Sequence, residues 1–140
     1  MKIDFLIMGE GVVQDASGGF SMVRIGADIL QPASLPASTK RSVLLGLREE
    51  EDSPILVGTS SRIELRVTAP SGKIVAVATN TFVIGNKAFS EVPGTALIPA
   101  DFQILVEETG RYVIRAELSQ PDTEVETAER YVHVVPPKPS

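Results

Sequence analysis

Apolar and polar residues alternate most strictly over residues 62–69, where Ile63, Leu65, Val67 and Ala69 fall on one side and Arg62, Glu64, Arg66 and Thr68 on the other. A period of two is that of a strand with one row in a core and one row in water. Pro70-Ser71-Gly72-Lys73 follows. Proline pre-sets a negative φ and glycine supplies a positive one, so these four residues predict a tight turn. Residues 73–84 then read as the return strand of a hairpin. The same alternation recurs over residues 111–118, with Tyr112, Ile114, Ala116 and Leu118 inward.

The rest of the chain carries shorter versions of this pattern. Residues 2–8 and 11–14 predict a first strand or strand pair, and Asp15-Ala16-Ser17-Gly18-Gly19 a turn. Residues 20–25 resume a strand, and residues 27–30 predict a short second one. Residues 31–39 hold Pro32 and Pro36 and predict a crossing from one sheet to the other. A strand over residues 41–48 has Val43, Leu45 and Leu47 on one face, and Glu49-Glu50-Glu51-Asp52-Ser53 is an acidic loop ended by Pro54. Residues 85–93 read as a polar connection, and residues 95–106 as one or two strands broken at Pro99. Gln120-Pro121-Asp122 turns the chain into a last strand over residues 124–135.

No window sustains a helical period over three turns, and no repeat or linker divides the chain. The pattern therefore predicts an all-β fold: a single antiparallel β-sandwich of immunoglobulin-like type with 7–9 strands, over residues 1–135, and a Pro-rich flexible tail over residues 136–140. Strand order, and sandwich against partly closed barrel, stay open at this level.

Composition narrows the chemistry. The chain has 140 residues, 43% of them apolar, which suits one domain with its own core. The net charge of −5 argues against a nucleic-acid partner, whose phosphates are held by Lys and Arg, and against a polybasic membrane anchor. There is no cysteine, which removes disulfides, thiolate nucleophiles and Cys-based metal sites together. The uninterrupted apolar run near the start is only Phe5-Leu6-Ile7-Met8, too short for a secretory signal, and no Asn is followed two places later by Ser or Thr. The expectation is a cytoplasmic protein.

His133 is the lone histidine, and no Gly-x-Ser-x-Gly elbow accompanies it, so it reads as a sheet-face residue. Gly9-Glu10-Gly11 lacks the third glycine and the helix of a dinucleotide fingerprint and reads as a bend between strands. Glu49-Glu50-Glu51-Asp52 is an unbroken acidic run and not a shaped calcium loop. The few aromatic residues, with no Trp, weaken sugar-stacking and single-strand platforms. The expectation is no catalytic residue, no cofactor and no metal.

Two local resemblances add to this reading. Glu108-Thr109-Gly110-Arg111-Tyr112 is similar to the tyrosine corner of immunoglobulin-like folds, which implies a structural role for Gly110 and Tyr112. The second rests on Phe5-Leu6-Ile7-Met8, residues 15–26, Leu35-Pro36, the strand around residues 43–47 and Thr68-Ala69-Pro70-Ser71-Gly72-Lys73. Through these the chain resembles a family of small uncharacterised bacterial proteins with a domain of unknown function, and the resemblance implies the fold alone.

A complete β scaffold with no reaction machinery points to a non-catalytic interaction or accessory module. Its partner would be an unknown protein or a second copy, and the apolar stretch of residues 92–100, with Val92, Leu97 and Ile98, is the candidate partner surface. The alternatives are an enzyme with a carboxylate and hydroxyl site in the loops 31–39, 49–58 and 85–93, or a structural component of a phage or virion.

Overall fold

The computed structural model describes residues 1–26, 28–54, 57–86 and 91–139. Among these are ten strands and no helix: β1 (Lys2–Gly9), β2 (Gly11–Gln14), β3 (Phe20–Val23), β4 (Ile29–Leu30), β5 (Ala37–Arg48), β6 (Ser60–Thr68), β7 (Ile74–Val83), β8 (Thr95–Val106), β9 (Gly110–Ser119) and β10 (Glu126–Val134). The count exceeds the expected 7–9, and three of the four strands before residue 31 are four residues or shorter. No helix among the described residues is long and apolar enough to cross a membrane.

The strands form a three-stranded sheet, β1-β5-β8, a five-stranded sheet, β4-β10-β9-β6-β7, and a hairpin, β2-β3. The two sheets make a β-sandwich. Leu6, Met8, Val43, Leu45, Leu47, Phe102, Ile104 and Val106 of the first meet Ile63, Leu65, Val67, Tyr112, Ile114, Ala116, Leu118, Val132 and Val134 of the second in one buried cluster. The alternating rows of β6 and β9 supply this core as their period demands.

Three expectations need correction. The pairing is antiparallel except at β4, which runs parallel to β10 through His133–Ile29 and Val134–Leu30. β8 is not broken at Pro99: it pairs with β5 without interruption from Thr95 to Val106, with Pro99 opposite Leu44. β8 is an edge strand, where a missing N–H need not cost a ladder bond. β5 begins at Ala37, so residues 37–39 belong to a strand and the crossing is shorter than expected. Of the short strand expected over residues 27–30, Ala27 lies outside the described residues, as do parts of the loops 49–58 and 85–93 and Ser140 of the tail.

Turn chemistry fixes the hairpins. Gly72 has φ 92°, its N–H donates to Ala69 O at 2.9 Å, and the Ala69 N–H donates to Lys73 O at 2.8 Å. At the β2-β3 tip the Asp15 carboxylate accepts from the amides of Ser17 at 2.9 Å and Gly19 at 3.0 Å. β5 is buried without a break over residues 41–47, so it is covered on both faces, unlike β6. Arg41 enters the interior at one end of this run. Its guanidinium donates to Thr39 Oγ1 at 2.8 Å and to Lys40 O at 2.9 Å, and burial lowers its pKa from the ordinary value.

Candidate interaction face

The register of the three-stranded sheet decides what it shows to the outside. A shift between Ile3 and Phe5 resets the pairing of β1. Phe5 then lies beside Gly46, which lies beside Leu97; two residues on, Ile7 lies beside Leu44, which lies beside Pro99. Because neighbours along a strand point to opposite faces, these residues look away from the core that Leu6, Met8, Val43 and Leu45 fill. The result is two apolar rows across the outside of the sheet. Leu97 is 45% exposed and Pro99 is exposed, Phe5 and Ile7 are half-buried, and Leu44 and Gly46 between them are buried, so the open part of these rows lies along β8.

Gly46 is the pivot of this face. A Cβ there would collide with the Phe5 ring, so the absent side chain lets the ring settle on the middle strand. Polar rows bound the patch. On one side lie Lys2, Arg48 and Thr95; on the other, Ser42 Oγ donates to the Asp101 carboxylate, which also meets Lys40 Nζ at 3.7 Å. The β2-β3 hairpin borders it too: Val12, Gln14 and Phe20 enclose a hollow of about 210 Å³ with Pro99, Ala100 and Asp101. Gly9 admits that hairpin, since a Cβ there would stand 2.7 Å from Met22 Cγ and from Val23 O.

The residues singled out in the sequence do not share one face. Leu97 is on the outer face. Ile98, its neighbour, turns inward opposite Leu45, half-buried against the core. Val92, 53% exposed, stands in the segment before β8 beside a hollow lined also by Glu49, Glu50, Glu51, Glu91, Pro54 and Pro93. There Lys2 Nζ lies 3.6 Å from Glu50 and 3.4 Å from Asp52, and its hydrogen bond to Asp52 holds the ammonium pKa above its ordinary value. Pro99 belongs to the stretch 92–100 singled out in the sequence, whereas Phe5, Ile7 and Leu44 lie outside it. Their signal is present: Phe5-Leu6-Ile7-Met8 and Val43-Leu44-Leu45-Gly46-Leu47 are apolar at both parities, which marks strands covered on both faces.

Gly110 and Tyr112 sit at the start of β9. Gly110 has φ 122°, and a Cβ there would come within 2.8 Å of Pro70 Cγ, so both backbone and space require glycine. Tyr112 is buried; its hydroxyl donates to Glu108 O at 2.9 Å and accepts from the Glu108 N–H at 3.3 Å. Glu108 in turn accepts from the Ser71 N–H at 2.7 Å, tying this corner to the β6-β7 turn.

The outer face of the five-stranded sheet is of another kind. Glu64 bridges Arg62 at 3.0 Å and Arg66 at 2.6 Å, and Arg115 bridges Glu117 and Glu129, each at 3.2 Å. The Arg111 guanidinium lies 4.6 Å from the centre of the Tyr131 ring. His133 is exposed on this sheet and lines a hollow of about 350 Å³ with Asp28, Glu129 and Arg130 among others. Glu129 is held there by Arg115 and by the Tyr131 hydroxyl at 3.2 Å, and Arg130 Nε donates to Leu6 O at 2.6 Å. Among the described residues no three His, Asp or Glu side chains are grouped to hold a metal ion.

No protein-family model matches this chain, and no curated protein matches it in sequence. The reading of its function rests on the two faces themselves.

Proposed function

We propose that this protein is a non-catalytic interaction module that binds a protein partner through the outer face of the β1-β5-β8 sheet. The observation that carries the reading is that Leu97 and Pro99 stand exposed at the open end of two apolar rows, Phe5–Gly46–Leu97 and Ile7–Leu44–Pro99, on the side of the sheet away from the core. A contiguous apolar patch rimmed by polar groups is the usual anatomy of a protein-binding surface. The chemistry of recognition would be burial of Leu97, Pro99 and Phe5 against apolar side chains of the partner, with Lys2, Arg48 and Asp101 at the rim. We further infer that the sandwich is immunoglobulin-like. The order β10-β9-β6-β7 beside β1-β5-β8 supports this, as it follows the G, F, C, C′ and A, B, E strands of such domains, and so does the Tyr112 corner. The cysteine-free, acidic composition supports a cytoplasmic setting.

The test is capture from a lysate of the native host with wild type and with Leu97→Asp, alongside thermal melts of both. The expected result is a stoichiometric partner retained by wild type and lost by Leu97→Asp, with the two melting curves nearly superimposed. Equal retention by both proteins would overturn the reading.

A further inference from the structure

The two sheets have four edge strands, β1, β8, β4 and β7, and an open edge is a template for adding another strand. Three of the four are blunted. β4 has only two residues. β8 carries Pro99 at its middle and charged Asp101 two residues on. On β1, the Leu6 carbonyl accepts from Arg130 Nε at 2.6 Å and the Met8 carbonyl from the Gly26 N–H at 2.8 Å, so its outer edge is already in use.

β7 has none of these devices. Its ten residues, Ile-Val-Ala-Val-Ala-Thr-Asn-Thr-Phe-Val, include no charge and no proline, and β-branched residues dominate. β6 pairs with one side of it, and among the described residues no strand pairs with the other. Val77 is 54% exposed, and Thr79, Asn80 and Thr81 are exposed too. On a chain of net charge −5, this is an uncharged stretch on which two copies can meet without opposing like charges.

We propose that β7 pairs antiparallel with β7 of a second copy, joining two five-stranded sheets across a two-fold axis at Thr79. The register follows from the pattern. The core-facing row of β7 must meet the core-facing row of its mate, which restricts the axis to a residue rather than a gap between residues. The bulge between Val67 and Thr68 shifts the pairing of Ile74, and Lys73 precedes it. An axis at Thr79 uses the strand from Val75 to Val83 and leaves both outside. It sets Thr79 against Thr79, Val77 against Thr81 and Val75 against Val83 on one face. On the other it sets Ala76 against Phe82 and Ala78 against Asn80, a small residue facing each larger one. Such self-matching is what a two-fold interface requires.

The test is sedimentation velocity over a concentration series, with melting curves for each protein. Wild type is expected to form a dimer. Thr79→Lys, on an exposed position, is expected to be monomeric, with a melting curve that matches wild type once both are diluted to where wild type is also monomeric, as is Thr79→Glu; mixing the two is expected to restore a heterodimer, because position 79 faces itself. Thr79→Val and Leu97→Asp are expected to remain dimeric, the latter because Leu97 stays outside the hollow of about 210 Å³ that Thr79 and Asn80 line with Pro99 and Asp101. A wild type that stays monomeric throughout would overturn the proposal, as would a dimer that survives Thr79→Lys. Monomeric charge variants that fail to pair on mixing would overturn the axis at Thr79.

Discussion

The two outer faces of the sandwich are built from the same alternating strands and end up chemically opposite. On β6, β9 and β10, the outward row is Arg62, Glu64, Arg66, Arg115, Glu117 and Glu129, whose charges compensate one another along and across strands. On β1, β5 and β8, the corresponding row passes through Phe5, Ile7, Leu44, Gly46, Leu97 and Pro99. Folding asks only that the inner rows be apolar. The charged face is paired with itself in solvent, and the apolar one is the surface proposed for contact. Stability rests on the inner rows and on the buried middle of the outer ones, Leu44 and Gly46, whereas the proposed recognition rests on the exposed Leu97 and Pro99.

The largest expected effect lies beneath both faces. Ile114 is 0% exposed at the centre of the core, and Ile114→Ala should cost about 2–5 kcal/mol in denaturant unfolding. A smaller loss would mean that the inner row is not the stabilising one. Next comes Gly46→Ala, which forces a methyl group into the Phe5 ring and should cost about 1–3 kcal/mol. Phe5→Ala combined with it should recover part of that loss, and strict additivity in the double mutant would contradict the stacking of Phe5 on Gly46.

On the charged face the cost should be smaller still. Arg115→Ala removes two ion pairs whose partners are exposed, so about 1 kcal/mol or less is expected, diminishing with added salt. The smallest effect belongs to the hairpin tip beside the apolar face. The Ser17 hydroxyl, with the Gly19 and Ser17 amides, holds the Asp15 carboxyl below its ordinary pKa. The unfolded chain therefore takes up the proton first as acid is added, and the contribution of Asp15 is complete above the ordinary carboxylate range. It is lost as pH falls through the lower folded value. The Gly19 amide resonance should titrate with that loss, and Asp15→Asn should flatten it.

Much of the fold was legible in the sequence, and the reason is local. The rows of β6 and β9 announce themselves because one face is wet, and the turn at Gly72 because its residues dictate its dihedrals. The Tyr112 corner spans only five residues from Glu108, so its pattern survives in sequence. The apolar face was only half legible. Leu97 and Ile98 were grouped because they are adjacent, yet adjacency in a strand means opposite faces. Phe5 and Ile7 lie in a run with no alternation, and only the register shift after Ile3, set by pairing with β5, decides which of them point outward. The intact passage of β8 through Pro99 and the parallel pairing of β4 depend on strand order, which is a property of distant segments and leaves no local trace.

The most direct test of the difference between the faces is site-specific photo-crosslinking in the native host. A photo-reactive side chain is placed at Leu97 on the apolar face or at Tyr131 on the charged one. The prediction is a discrete higher-mass adduct from position 97 and none from position 131. Adducts of equal yield from both positions, or from position 131 alone, would contradict the assignment of the apolar face as the partner surface.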